Sequence, residues 1–360
     1  MALTGLQIQK LLPKTNCKEC GCSTCLAFAM KLAAKKAALK ECPYASEEAK
    51  QILGAAVEPP IKTIIVGTGE NPFKLGGETV LYRHEKTFVN QTGLGIALDD
   101  TTNDAKIEQI VKMARDYELE RVGETLKLDA VSVTCKSGKP AQFAATLTRI
   151  AAIWDRAIIA RSDDPAILEV AAETLKGRKC LLASATLQTA DRLATVAVAT
   201  GAAVVAAADN FDDLIATVKA LEEKNLRDIF LELRADSLSE HFQNNTIIRR
   251  AALKSGVKSL GYPIIKYIAT GNALDDALEA GLEIVKYGGL VIVPEFDPAL
   301  LTPLLTLRQN IYTDPQQPLR MDPGIYAIGE PDASSPLLVT TNFSLTYFTV
   351  STELESVGLP

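Results

Sequence analysis

This chain has no leader pattern, no long apolar run and no excess of basic residues. The start, MALTGLQIQKLLPKTNCKEC, carries neither an apolar core of signal-peptide length nor a cleavage pattern, so secretion is not expected. The longest apolar stretch, Val196 to Ala208, is rich in alanine and broken by Thr200 and Gly201, and it falls short of the roughly 20 residues a membrane span needs. Lys and Arg total 38 against 44 Asp and Glu, a net charge of −6, which argues against nucleic acid as the main partner. A glycine-rich G-x-G-x-x-G turn is also missing: Gly67-Thr68-Gly69 lacks the third glycine of a dinucleotide site. A cytoplasmic protein without membrane or nucleic-acid contacts is expected. Histidine is scarce too, with only His84 and His241. No nucleophile or carboxylate pair accompanies His84, which reads as structural, and His241, behind Ser239-Glu240, reads as solvated.

Cysteine is sparse except in one place. Five of the seven lie between Cys17 and Cys42, and only Cys135 and Cys180, read as buried small hydrophobes in β-runs, lie beyond. In a reducing compartment such a cluster signals metal or redox chemistry rather than disulfides. Cys17-x2-Cys20-x4-Cys25-x16-Cys42, with Pro43 next, supplies four thiolates for a cubane or binuclear iron–sulfur centre. Two other readings stay open on spacing. Cys17-x4-Cys22-x2-Cys25 matches the plant-type binuclear pattern, and four cysteines also suit structural zinc. Gly21 allows a tight loop, and Cys25 sits in the first turn of a helix whose dipole favours a thiolate; Leu26 and Phe28 can shield a cluster.

The surrounding pattern predicts a short helix over Leu6–Leu12, a second capped by Ser23 and running to about Lys40, and a third opening at Ser46. Residues 1–57 form a helical module too small for an ordinary core, which a metal cluster would stabilise. Gly54 to Pro60 reads as a linker.

Beyond it, Lys62–Val66 and an apolar segment around Thr79–Val89 suggest a leading hairpin. Eight β-rich runs follow, at 94–100, 128–135, 157–163, 180–185, 203–209, 228–235, 263–269 and 289–296, separated by stretches of helix length. Helix starts are marked by Thr101-Thr102-Asn103-Asp104 and Asp163-Asp164-Pro165. Runs that are continuously apolar rather than alternating belong to parallel strands buried on both faces, and eight close a barrel. The fold class is therefore α/β, a TIM (β/α)8 barrel over 58–330. Its strand ends carry Asp99, Asp100, Arg161, Asp163, Asp209, Glu232, Arg234, Lys266, Glu295 and Asp297. Lys266 reads as an ion-pair partner in preference to a Schiff-base lysine. After Pro331, Leu337–Val350 reads as a strand with its loop, and STELESVGLP as the start of a helix.

The run N16-C-K-E-C-G-C-S-T-C-L-A-F-A with C42-P, the segment NPFKLGGETVLYRHEKTFVN and the tail TTNFSLTYF together resemble the large (gamma) subunit of the corrinoid iron–sulfur protein of the acetyl-CoA decarbonylase/synthase pathway. The resemblance spans essentially the whole chain. It implies a methyl carrier rather than a self-sufficient enzyme. A [4Fe-4S] cluster would be held by Cys17, Cys20, Cys25 and Cys42, with Cys22 a bystander. The tail 331–360 would open a flavodoxin-like cobamide-binding domain, most of which lies outside this chain, with Thr340, Asn342 and Thr346 offering polar groups to the corrinoid. No histidine follows His241, which agrees with a family whose cofactor takes no protein histidine ligand. The implied chemistry is acceptance of methyl from methyltetrahydrofolate through a separate methyltransferase, donation to acetyl-CoA synthase/CO dehydrogenase, and reactivation of cob(II)amide by an electron from the cluster. The implied partners are those two enzymes, a small subunit forming a heterodimer, and a low-potential electron donor. The alternative is a barrel acting as a pterin-dependent methyltransferase with an accessory cluster.

Overall fold

Eight of the strands, each followed by a helix, close into one parallel barrel in a computed structural model that describes residues 4–33, 37, 39–46, 49, 59–68, 71–82, 85, 88–313 and 319–357. In chain order the barrel is built from β3 (Gly93–Asp99), β6 (Ala130–Thr134), β7 (Ala157–Arg161), β8 (Leu181–Ala185), β9 (Ala203–Ala208), β10 (Ile229–Leu233), β11 (Ile264–Tyr267) and β12 (Gly288–Val293). All eight apolar runs thus become strands, and β12 closes on β3 with Leu290 opposite Gly93. Their burial explains why the runs are continuous: β8, β9 and β10 are buried at every position.

The covering helices are α3 (Asp104–Asp116), α4 (Pro140–Ile153), α5 (Pro165–Thr174), α6 (Ala190–Thr200), α7 (Phe211–Glu223), α8 (Leu238–Leu253), α9 (Ala273–Val285) and α10 (Pro298–Tyr312). The two marked starts are real caps. Asn103 accepts the Ala105 and Lys106 amides, and Asp164 accepts that of Ala166 ahead of Pro165.

The leading hairpin differs from expectation. β1 (Ile64–Gly67) pairs antiparallel with β2 (Pro72–Leu75), not with Thr79–Val89, whose described residues form no strand. Pro72 is tolerated because it is the first residue of its strand, and Gly76 and Gly77, at φ +77° and +84°, end it. The later segment braces the barrel instead, with the Leu81 carbonyl accepting the Tyr287 hydroxyl at 2.8 Å. The hairpin plugs the barrel floor through Phe73. A Cβ on Gly93 would lie 2.6 Å from the Phe73 ring and 2.7 Å from Leu290, so any larger residue would have to displace them.

A second hairpin was not expected. β4 (Glu118–Arg121) and β5 (Glu124–Lys127) are joined at Val122-Gly123, both with positive φ, as a tight two-residue turn requires. The tail also departs from its reading as a strand. Residues 337–341 have no regular structure, and α11 (Ser344–Val357) is a helix that takes in the second half of the expected strand and most of the STELESVGLP segment. Helical spacing lets α11 place the Phe348 ring 3.4 Å from where a Cβ on Gly123 would be, while Tyr347 meets Tyr326 with centroids 5.3 Å apart. These contacts outweigh the β-propensity of its Thr, Tyr and Phe residues.

The N-terminal module has a core of its own. α1 (Gly5–Leu11) opens on a capping box between Thr4 and Gln7, and α2 (Cys25–Ala33) packs against it. The α2 cap is Thr24, one residue after the expected Ser23, with its hydroxyl accepting the Ala27 amide at 3.1 Å. Of the third helix, the Ser46 hydroxyl accepting the Ala49 amide is what the described residues show. The Gly54–Pro60 linker lies outside them save Pro59 and Pro60. No helix among the described residues is long and apolar enough to cross a membrane.

Candidate metal centre

The module core consists of Ile8, Leu12, Cys22, Cys25, Phe28, Ala29, Leu32, Cys42, Ala45 and Ala49, with Cys20 packed against it. Three of these ten are cysteines, so the thiols are part of what the module folds around. The loop carrying them is tightly wound: Lys14, Asn16, Lys18 and Gly21 all have left-handed backbone, φ between 49° and 71°. Three non-glycine residues in that region are costly and persist where the surroundings over-determine the loop. Asn16 Oδ1 accepts the Cys25 amide at 2.7 Å, tying the loop to the start of α2, and a turn bond from Gly21 to the Lys18 carbonyl closes it.

The two ends of the cysteine run meet through side chains. Tyr44, two residues after Cys42, donates its hydroxyl to Glu19 at 2.9 Å, and that bond, with the nearby charges of Glu19 and Cys17, raises the phenol. Burial, followed by the neighbouring Cys22, pushes the Cys20 thiol up. Of the predicted ligands, Cys25 and Cys42 are buried, Cys20 is half-buried and Cys17 is exposed. Cys22 is buried in the same core, 6% exposed. Phe28 shields the thiols, whereas Leu26 faces outward.

Among the described residues no three Cys, His, Asp or Glu side chains are already drawn into a ligand group. The donor chemistry nevertheless fits an iron–sulfur cluster. Soft thiols gather in and beside one apolar core on a strained loop, with no histidine in the module, and in small metal modules binding of the metal is coupled to folding of the site.

At the carboxyl ends of the barrel strands several of the predicted charges have ion-pair partners. Arg161 lies 3.1 Å from Glu232, which also accepts the Ser184 hydroxyl at 2.8 Å, and its guanidinium stacks 3.6 Å above the Tyr267 ring. Lys266 pairs with Glu279 at 3.0 Å, the ion-pair role expected of it. Asp99 is desolvated, which opposes ionisation, but hydrogen bonds from Thr101 and Lys136 prevail and hold it at about 2. Asp100 shapes the β6–α4 loop, accepting the Lys136 and Ser137 amides at 2.8 and 3.0 Å. Arg234 lies 3.4 Å from Asp209.

Two sequence readings change. His241 is buried, 3% exposed, with Nε2 2.9 Å from Glu283, because positions 241, 245, 248, 249 and 252 form the inner stripe of α8. Cys135 is not fully buried; its thiol meets Asp100 at 3.4 Å, and desolvation and that contact raise it. Cys180 is buried as expected. His84 lies outside the described residues.

In the tail, Thr340 and Asn342 line a cleft of about 700 Å³ formed by residues 321–342 with Tyr347, Val350 and Leu354. Asn342 is fixed there, its Nδ2 donating to the Met321 carbonyl at 3.2 Å, while Thr346 sits on α11 away from the lining.

Known proteins match both parts. The family "CO dehydrogenase/acetyl-CoA synthase delta subunit" covers residues 63–360, and the family "Putative Fe-S cluster" covers 12–44. The chain is 37% identical over its full length to the corrinoid/iron-sulfur protein large subunit of Moorella thermoacetica, spanning 81% of that protein. It is 32% identical, over 99% of its length and 80% of the relative's, to the acetyl-CoA decarbonylase/synthase complex subunit gamma of Methanopyrus kandleri. Among solved structures, a dihydropteroate synthase of Xanthomonas albilineans overlays with a TM-score of 0.49 at 12% identity, covering 71% of this chain and all of that one. The dihydropteroate synthase of Thermus thermophilus gives 0.45 at 16% identity, over 62% and 95% of the two chains. With a cysteine module and a barrel both matched over the full length of the chain, this protein belongs to the family of corrinoid/iron-sulfur protein large subunits, the gamma subunits of acetyl-CoA decarbonylase/synthase.

Proposed function

We propose that this chain is a methyl-carrier and electron-transfer subunit of the reductive acetyl-CoA pathway, working in the cytoplasm as a heterodimer with the small subunit of the corrinoid iron–sulfur protein. Residues 1–57 are the cluster module, 58–330 the barrel scaffold, and 331–360 the beginning of the corrinoid-binding part. The observation that carries the reading is the cysteine core: Cys25, Cys42 and Cys20 packed with Phe28 and Leu32, beneath a loop of left-handed residues. Cys17, Cys20, Cys25 and Cys42 would hold a [4Fe-4S] cluster, which supplies single electrons at low potential for reactivating a cobamide that has oxidised out of its methyl-transfer cycle. Asn16 orients the loop, and Phe28 and Leu32 keep water from the thiolates.

For the corrinoid, the tail supplies an apolar cleft with Thr340 and Asn342 at its edge, suited to a macrocycle with apolar faces and an amide fringe. Methyl arrives from methyltetrahydrofolate through a separate methyltransferase and leaves to acetyl-CoA synthase/CO dehydrogenase, with a low-potential donor feeding the cluster. The paired charges of the barrel mouth, Arg161 with Glu232 and Lys266 with Glu279, favour a scaffold over a barrel that performs the methyl transfer itself.

Two measurements test this. Anaerobically purified protein should contain iron and sulfide and give an EPR signal on reduction with dithionite; zinc without iron would overturn the cluster. Mixed with its small subunit and cobamide, it should accept methyl from methyltetrahydrofolate only when a methyltransferase is added. Turnover without one would identify the barrel as the catalyst.

A further inference from the structure

We propose that the lysine-bearing loop around Cys17 is the surface on which this chain receives an acidic one-electron carrier protein, an inference that rests on the cluster reading above. Charge is divided unevenly along the chain. Residues 1–57 carry eight Lys and four Glu, with neither Arg nor Asp, a net charge of +4, so the rest of the chain carries the −10 that brings the whole to −6. The module is a basic body on an acidic protein.

Its positive charge is left open to solvent. Lys10, Lys14, Lys18 and Lys31 are all exposed, and among the described residues none of the four is paired with a carboxylate. The barrel treats lysine differently: Lys62, Lys127, Lys136 and Lys266 each meet an acid. Between Pro13 and Thr24 the single acid is Glu19, which accepts the Tyr44 hydroxyl, so the loop is net positive with Lys14 and Lys18 on either side of Cys17.

Two details put this face on the path of an electron. Cys17 is the exposed one of the four predicted ligands, so the loop is the side from which a partner comes nearest to a bound cluster. Lys14 and Lys18 also have left-handed backbone, φ 58° and 68°. Glycine would take either position without strain; conformation therefore argues against lysine, and what the lysines add is charge at the surface.

Redox encounters between proteins are small, brief and steered by complementary charge, which a negatively charged carrier supplies here. Nucleic acid is gripped through arginine as well as lysine, and the module has no arginine. A membrane-surface helix carries its lysines on a helical face beside an apolar stripe, whereas Lys14 and Lys18 stand on a loop. In the encounter one electron leaves the reduced carrier, which is oxidised by one unit, and reduces the cluster by one unit; no bond or proton moves.

The test uses the full chain, purified anaerobically, with a strongly acidic ferredoxin as the probe carrier. Stopped-flow absorbance gives the rate of electron transfer, and titration with oxidised ferredoxin gives the affinity. Both should fall by about 10-fold or more from low to high salt, and Lys14→Glu with Lys18→Glu should lower both by a similar factor at low salt. Lys14→Gly with Lys18→Gly, which suits the backbone, should lower them less while iron content and thermal melting match the wild type. Lys254→Glu, at an exposed lysine on the barrel, should change neither, and reduction by methyl viologen, itself a cation, should not slow in any variant. Amides 14–21 should gain hydrogen-exchange protection when ferredoxin binds.

Folded lysine variants that match the wild type at low salt, or a cluster that methyl viologen reduces and ferredoxin does not, overturn the docking face and leave the cluster standing. A chain that binds no iron overturns the cluster reading and the docking face with it. If the lysine changes abolish binding to anionic lipid vesicles or duplex DNA and leave ferredoxin unaffected, the face belongs to that partner and the proposal fails. It fails equally if, in the chain alone, the lysine changes speed exchange of barrel amides and leave ferredoxin unaffected, since the acidic barrel would then be the occupant.

Discussion

The side chain of Asn16 accepts the backbone N–H of Cys25 at 2.7 Å, joining the left-handed loop to the first residue of α2. The amide it satisfies is one that the start of a helix leaves without an internal partner. Asn16 therefore acts on the position of Cys25 without being a ligand itself.

Replacing Asn16 by Ala should cost about 1 kcal/mol of module stability, the ordinary worth of a lost capping bond. Asn16 also has φ of 49°, which alanine tolerates poorly, so the effect should lie at the upper end of that range. The readout is faster loss of iron to a chelator, with unchanged iron content at the start. Equal release rates in the variant and the wild type would show that the bond does not hold the loop.

The cysteines separate by role. Cys17, Cys20, Cys25 or Cys42 changed singly to Ser should lower bound iron and abolish or alter the EPR signal of the reduced protein. Cys22→Ala should retain both, because Cys22 then serves as a small buried apolar residue of the module core. If Cys22→Ala loses iron while Cys20→Ser keeps it, the binuclear spacing through Cys22 is the correct register.

What could be read beforehand follows from how each segment is buried. The barrel strands announce themselves because a strand covered on both faces is apolar throughout, as Ala203–Ala208 shows. The β4–β5 hairpin does not, since Glu118–Arg121 and Glu124–Lys127 are polar and only Val122-Gly123 marks the turn. His241 looks solvated beside Ser239 and Glu240 until Asn245, Ile248 and Arg249 are placed on the same helical stripe, facing Glu283. The tail misleads because Thr, Tyr and Phe favour strands locally, whereas Phe348 finds its contact at Gly123, more than two hundred residues earlier in the chain. The cysteine spacing was legible in full, yet not the burial of Cys22, which depends on the packing of α1 against α2.

Arg308 and Asp129 form an ion pair beneath the barrel, with side chains 4% and 15% exposed. Asp129 also accepts the Leu94 amide at 2.9 Å, and Arg308 donates to the carbonyls of Thr92 and Lys127. Asp129→Ala leaves a buried guanidinium without its counter-charge, so it should destabilise the barrel by about 3–5 kcal/mol and lower its melting temperature markedly. Substituting Arg308 by Met removes the charge at the other end and strands Asp129 instead. The double variant should recover part of the loss, and purely additive effects would show that the two do not interact.

Alkaline pH should destabilise the barrel through Cys180. Burial pushes this thiol from 9.0 up to about 12, because a thiolate between β8 and its neighbours would have no water around it. In the unfolded chain the thiol ionises near its ordinary value, so below pH 9 both states are protonated and stability is at its full value. Between about pH 9 and pH 12 the unfolded state loses a proton that the folded state keeps. Stability then falls by as much as about 1.4 kcal/mol per pH unit from this group. Tyr312, raised by burial from 10.0 to about 12, adds a second decrement with the same sign above pH 10. Denaturant melts at pH 8, 9, 10 and 11 should trace the decline, and Cys180→Ala should make the part between pH 9 and 10 shallower, where Tyr312 does not yet contribute and the raised Cys135 thiol accounts for what is left. An unchanged slope in Cys180→Ala over that interval would place the alkaline sensitivity elsewhere.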